Sequence, residues 1–111
     1  MSKIGTEQPK EYSDRFDELR QNRVGVSFFK YGSAADNFGK NLVDAIKTYD
    51  LCIQKYQQTG NTEYLLDAAN YLMFEFMYPQ KENSYFKSTD YQESAGISGI
   101  SINEINAYTA E

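Results

Sequence analysis

Apolar residues along most of this chain recur every three or four positions, the spacing of helices that bury one side. Tyr12, Phe16 and Leu19 set the first such pattern, which runs to about Asn22 with Pro9 suited to its first turn. The period then changes. Val24, Val26, Phe28, Phe29 and Tyr31, interrupted by Gly25, predict a short extended segment over 24–31. Ser33 with Asp36 three residues on has the form of a helix cap. Behind it Ala35, Phe38, Leu42, Ile46, Tyr49, Ile53 and Tyr56 form one stripe of about six turns. Gly60 supplies a left-handed stop, and Asn61 or Thr62 can cap the next helix. The two helices make a helical hairpin over 33–78.

The third helix, Thr62 to Tyr78, is apolar over most of its circumference through Leu65, Leu66, Ala68, Ala69, Leu72, Met73, Phe74, Phe76 and Met77. A helix so coated belongs at the centre of a domain or against a partner. Pro79 ends it, because the residue before a proline is biased out of the helical region. Residues 79–100 predict a long ordered loop, and Ser101 with Glu104 predicts the cap of a short last helix carrying Ile102, Ile105 and Tyr108. The expected fold is mainly α, a small bundle of three to four helices forming one domain over 1–111 with a loose tail at 1–8.

Composition narrows the chemistry. With 41% hydrophobic and 24% charged residues the chain has the make-up of a globular domain, and no apolar run is long enough to span a bilayer. The N-terminal MSKIGTEQPKEYSDRF lacks the apolar stretch of a secretory signal, so a cytoplasmic setting is expected. Cys52 is the lone cysteine and reads as a small buried thiol. Histidine is absent, which removes the imidazole base of serine and cysteine hydrolases and the usual nitrogen ligands of zinc. Any catalysis would fall to carboxylates, lysine or tyrosine, and the balance leans away from an enzyme. The net charge of −5 arises in the last part of the chain, where residues 61–111 carry eight acids against two lysines. Such a segment disfavours direct binding to duplex nucleic acid and suits a basic protein partner.

Two constellations carry candidate chemistry. Glu63, Asp67 and Asn70 are spaced i, i+4, i+7, which puts three oxygen-bearing side chains on one helical face. Oxygen ligands suit magnesium, and DAANY is similar to part of the acidic helices in pyrophosphohydrolases of the MazG type. Helix two, however, offers Asn41 and Asp44 in place of paired glutamates. The structural alternative has Asp67 and Asn70 bonded to neighbouring backbone, holding the loop after Pro79. The second constellation is Glu82, Tyr85, Asp90, Tyr91 and Glu93, an acidic and aromatic loop suited to an arginine-rich surface. Its alternative has Tyr85 and Phe86 tucked onto the core. KSTDYQESAGISG hints at a phosphate-binding loop but has no Walker lysine.

The run GNTEYLLDAANYLMFEFMYPQ, with YFKSTD and ESAG after it, resembles small uncharacterised proteins encoded by phages and prophages of Gram-positive bacteria. The best-matched positions are Asp67, Asn70, Met77, Pro79, Phe86, Thr89, Asp90, Ser94 and Gly96, while Tyr91 stands where that pattern has serine. The resemblance implies a mobile-element origin and the bacterial cytoplasm, and no particular activity. The leading expectation is a non-enzymatic protein that binds and inhibits a host nucleic-acid-targeting effector, in the manner of an anti-CRISPR protein, without a cofactor. The alternatives are a magnesium-dependent nucleotide-binding or pyrophosphohydrolase-like protein using Glu63, Asp67 and Asn70, and a homo-oligomeric structural or regulatory phage protein.

Overall fold

A computed structural model describes residues 11–90 and 92–98. Four helices form, in the order α1 (Asp14–Tyr31), α2 (Ala34–Gly39), α3 (Ala45–Thr59) and α4 (Glu63–Met77), and no strand forms among the described residues. The architecture is mainly helical and bundle-like, as the apolar spacing predicts. The tail at 1–8, Pro9 and the capping box at Ser101 lie outside the described residues.

The extended segment expected over 24–31 is instead the second half of α1. A solitary strand would have no neighbour to receive its backbone hydrogen bonds, whereas a helix satisfies them within itself. The helix starts on Ser13, whose Oγ accepts the Phe16 N–H at 3.0 Å, with Asp14 and Asp17 at the positive end of the dipole. It ends on Gly32 at φ 88°, a left-handed value that glycine tolerates, and the Gly32 N–H closes onto the Phe28 carbonyl at 3.0 Å.

The long second helix is corrected too, into two. The Ser33 cap forms as expected, its Oγ accepting the Asp36 N–H at 3.1 Å. The chain then leaves the helix after Gly39, and Asn41 takes φ 56°, a conformation that asparagine visits more readily than most residues. The N–H groups of Leu42 and Val43 both turn back onto the Asn37 carbonyl, at 2.8 and 2.9 Å. Asp44 restarts the helix by accepting the Lys47 N–H at 3.0 Å. That backbone bond, and after it the Gln80 amide, holds the Asp44 carboxyl below its ordinary range. A stripe in perfect register thus spans a break, because a local cap outcompetes continuation of the helix.

The rest of the hairpin forms as its residues predict. Gly60 is left-handed at φ 76°, its N–H on the Tyr56 carbonyl at 2.7 Å, and the Asn61 side chain accepts the Glu63 N–H at 3.0 Å. α3 and α4 make the most extensive contact, and α4 also packs against α1 and α2, so it is the central helix among those described. Phe38, Ala45 and Phe74 form the buried cluster, with Val24, Val43, Tyr71 and Met73 packed around it. Phe38 stacks on Phe74 with ring centroids 4.6 Å apart, and Tyr71 meets both edge-on. No helix among the described residues is long and apolar enough to cross a membrane.

Two substitutions test this arrangement by chemical denaturation. Phe74→Ala should cost about 3–5 kcal/mol through the cavity it leaves in the ring stack. Gly25→Ala should stabilise by about 0.5–1 kcal/mol, since a methyl group there meets nothing within 4 Å in the α1 helix. A destabilising Gly25→Ala would argue against helix at this position.

Candidate functional site

α1 has no fully buried residue, and what joins it to α4 is mostly polar. Arg23 reaches across to Asp67, its Nε donating to Oδ1 at 3.0 Å and its Nη2 to Oδ2 at 3.2 Å. Nη2 also lies 3.5 Å from Oε1 of Glu63. The side-chain hydrogen bond to Asp67 raises the Arg23 pKa further above its already high ordinary value, so the charge is permanent. One turn along, Arg20 Nη1 donates to Asn70 Oδ1 at 3.3 Å, and Asn70 Nδ2 donates back to the Arg20 carbonyl at 3.0 Å. Asp17 fixes the other end of Arg20, accepting from Nη2 at 2.6 Å. Asn70 is the buried polar residue of this cluster at 5% exposure, and no buried side-chain polar atom among the described residues lacks a partner.

The helical spacing of Glu63, Asp67 and Asn70 therefore does gather one face, but the face is turned to α1. Both Asp67 oxygens are committed to a guanidinium, and the described residues hold no group of three or more acids or thiols placed to bind a metal. The expectation that Asp67 and Asn70 hold the loop after Pro79 is corrected: they hold α1. The start of the loop is held by Gln80, whose N–H donates to Glu75 Oε2 at 2.8 Å and whose Nε2 bridges to Glu75 and Asp44. Sequence reasoning missed Arg20 and Arg23. Their i, i+3 spacing behind Asp17 was the available signal, hidden because a residue's partner fifty positions away leaves no local pattern.

The loop itself stands off the core. Tyr85 is 85% exposed and Phe86 79%, so the alternative in which they tuck inward does not occur. They border a groove of about 490 Å³ with Leu72, Phe76 and Pro79, which extends the aromatic surface onto the end of α4. Glu82 makes no hydrogen bond or ion pair among the described residues. Asp90 Oδ1 accepts the N–H groups of Gln92 and Glu93 in a tight turn, and Glu93 meets Lys87 at 3.3 Å. Tyr91 lies outside the described residues.

A second concavity, of about 480 Å³, opens between α1, α2 and α4 beside the arginine–aspartate pair. Cys52, on α3, is half-buried, and burial, with the Asp67 charge second, pushes its thiol above the ordinary 9.0. Burial also raises the Tyr71 hydroxyl above 10.0. Comparison with protein-family models, curated proteins and solved structures finds no match to this chain.

Asn70→Ala should cost about 1–3 kcal/mol by removing the buried amide that exchanges two hydrogen bonds with Arg20. Hydrogen exchange should then accelerate in 14–31 before it does in α3 or α4. Cys52 should be alkylated more slowly than free cysteine at pH 8, because less of it is thiolate. The raised folded pKa contributes stability that is intact below the unfolded thiol value and lost as pH rises through the folded one. Thiol reactivity and stability measured from pH 8 to 11 check both statements.

Proposed function

We propose that this chain is a non-enzymatic binding protein whose acidic, aromatic loop and the adjoining end of α4 dock on a basic protein surface, and that the partner is a nucleic-acid-targeting effector it inhibits. The observation that carries the docking role is the exposure of Tyr85 and Phe86 next to Leu72 and Phe76, itself 73% exposed. Large apolar side chains gathered in solvent mark interaction surfaces. Glu75 lines the groove, and the loop itself carries Glu82, Asp90 and Glu93. An effector that grips a phosphate backbone presents arginines and lysines, and the eight acids against two lysines of residues 61–111 complement them. The exposed Lys87–Glu93 pair is worth little in water, so Glu93 exchanges Lys87 cheaply for a partner's arginine. The resemblance to phage and prophage proteins supports the same setting, a mobile element inside a bacterial cell.

A homo-oligomer is the second reading, favoured by Val26 and Phe29, which stand 55% and 89% exposed on α1. Sedimentation across a concentration range separates the two, since a monomer at every concentration excludes it.

The direct test is a cleavage assay with purified RNA-guided nucleases of Gram-positive bacteria, with the wild type and the variants Tyr85→Ser, Phe86→Ser and Glu82→Lys. The wild type should protect DNA. Each aromatic variant should weaken binding by about tenfold or more without lowering Tm, and Glu82→Lys should reduce the salt dependence. Absence of protection by the wild type, or unchanged binding by all three variants, contradicts the proposal.

A further inference from the structure

The cleft between α1, α2 and α4 is separate from the loop surface and has the make-up of a small-molecule site. Its floor is the ring cluster Phe38, Tyr71 and Phe74, and Phe28 and Tyr31 stand at its rim, both largely exposed. Its volume of about 480 Å³ falls among clefts that hold small organic ligands, which are lined by apolar and aromatic groups with a few polar ones converging. Those polar groups define the ligand. The charged lining residues among those described, Arg23 and Asp67, are paired with each other at 3.0 Å, so an anion finds no unpaired cation and a cation no unpaired carboxylate. Hydrogen-bonding capacity is left over nonetheless. Arg23 spends Nε and Nη2 on Asp67 and Glu63, leaving Nη1 with two free N–H donors. The hydroxyls of Ser27 and Tyr71, both lining the cleft, make no hydrogen bond among the described residues.

We propose that this cleft binds an uncharged heteroaromatic compound of nucleobase or nucleoside size, its ring seated against the Phe38–Tyr71–Phe74 cluster and its acceptor atoms on Arg23 Nη1 and the Tyr71 hydroxyl. A flat ring gains stacking and edge contacts from the aromatic floor, and a heteroatom uses the donors that a hydrocarbon would leave unpaired. A phosphate gains nothing further, because the guanidinium charge is already compensated by two carboxylates. The site therefore differs from a magnesium-nucleotide site both in its ligand and in the role of Asp67, which orients Arg23.

The experiment is titration of the full chain with adenosine, uridine and adenosine monophosphate, read by backbone amide NMR. At least one nucleoside should give saturable shifts at residues lining the cleft, with a Kd of about 1 mM or tighter. The monophosphate should bind no more tightly than adenosine. Ser27→Phe, which fills the cleft, should abolish the shifts, and Tyr71→Phe, which keeps the ring and removes the hydroxyl, should weaken binding by about three- to tenfold. Thermal melting of each variant establishes that it is folded, and Tyr71→Phe decides the matter if Ser27→Phe is not. No saturable shift with either nucleoside, shifts confined to other surfaces, tighter binding of the monophosphate, or undiminished binding by Tyr71→Phe would each overturn the proposal.

Discussion

The hydrogen-bonded junction of Arg20 and Arg23 with Asp67 and Asn70 is the interaction on which the placement of α1 against the hairpin depends. α1 buries no residue fully, so apolar area alone cannot fix its position. The hairpin has its own adhesive in the stacked Phe38 and Phe74, each worth about 1.5–3 kcal/mol when buried. The junction bonds contribute less apiece, about 0.5–1.5 kcal/mol net. Their removal costs more than their presence gains, however, because loss of the arginine partner strands the buried Asn70 amide away from water. That asymmetry makes the position of α1 specific even though its attachment is not strongly apolar.

Two surfaces arise from that geometry. Beyond the junction, an aromatic-floored cleft lies beneath the second half of the helix. By consuming Asp67 and Asn70 internally, the junction leaves the loop after Pro79 to be positioned by Gln80, Glu75 and Asp44. Tyr85 and Phe86 are thereby displayed on a surface whose base is fixed by hydrogen bonds and whose tip is exposed. The acids beside them are spent only lightly, on a turn at Asp90 and on Lys87.

What the sequence disclosed was what local physics decides. The caps at Ser33 and Gly60, the span of α4 and its central place were legible because each rests on residues a few positions apart. The segment at 24–31 has the composition of a strand yet forms helix, because Val, Phe and Tyr favour strands only where a sheet exists to receive them. The break at Gly39 to Asp44 was hidden by an apolar stripe that keeps its register across it, and only the cap chemistry of Asp44 marks it. At the candidate site, the shared face of Glu63, Asp67 and Asn70 could be read from their spacing. Its use could not, because Arg20 and Arg23 lie more than forty positions away and nothing local ties them to it.

The claim that this polar junction fixes α1 is most directly tested by a double-mutant cycle on Arg23→Ala and Asp67→Ala, read by urea denaturation of the two single variants and the pair. A bidentate, partly buried pair should show a coupling of about 1–2 kcal/mol, well above that of an exposed ion pair. Additive effects, with coupling below about 0.3 kcal/mol, would mean that α1 is held by something other than these side chains.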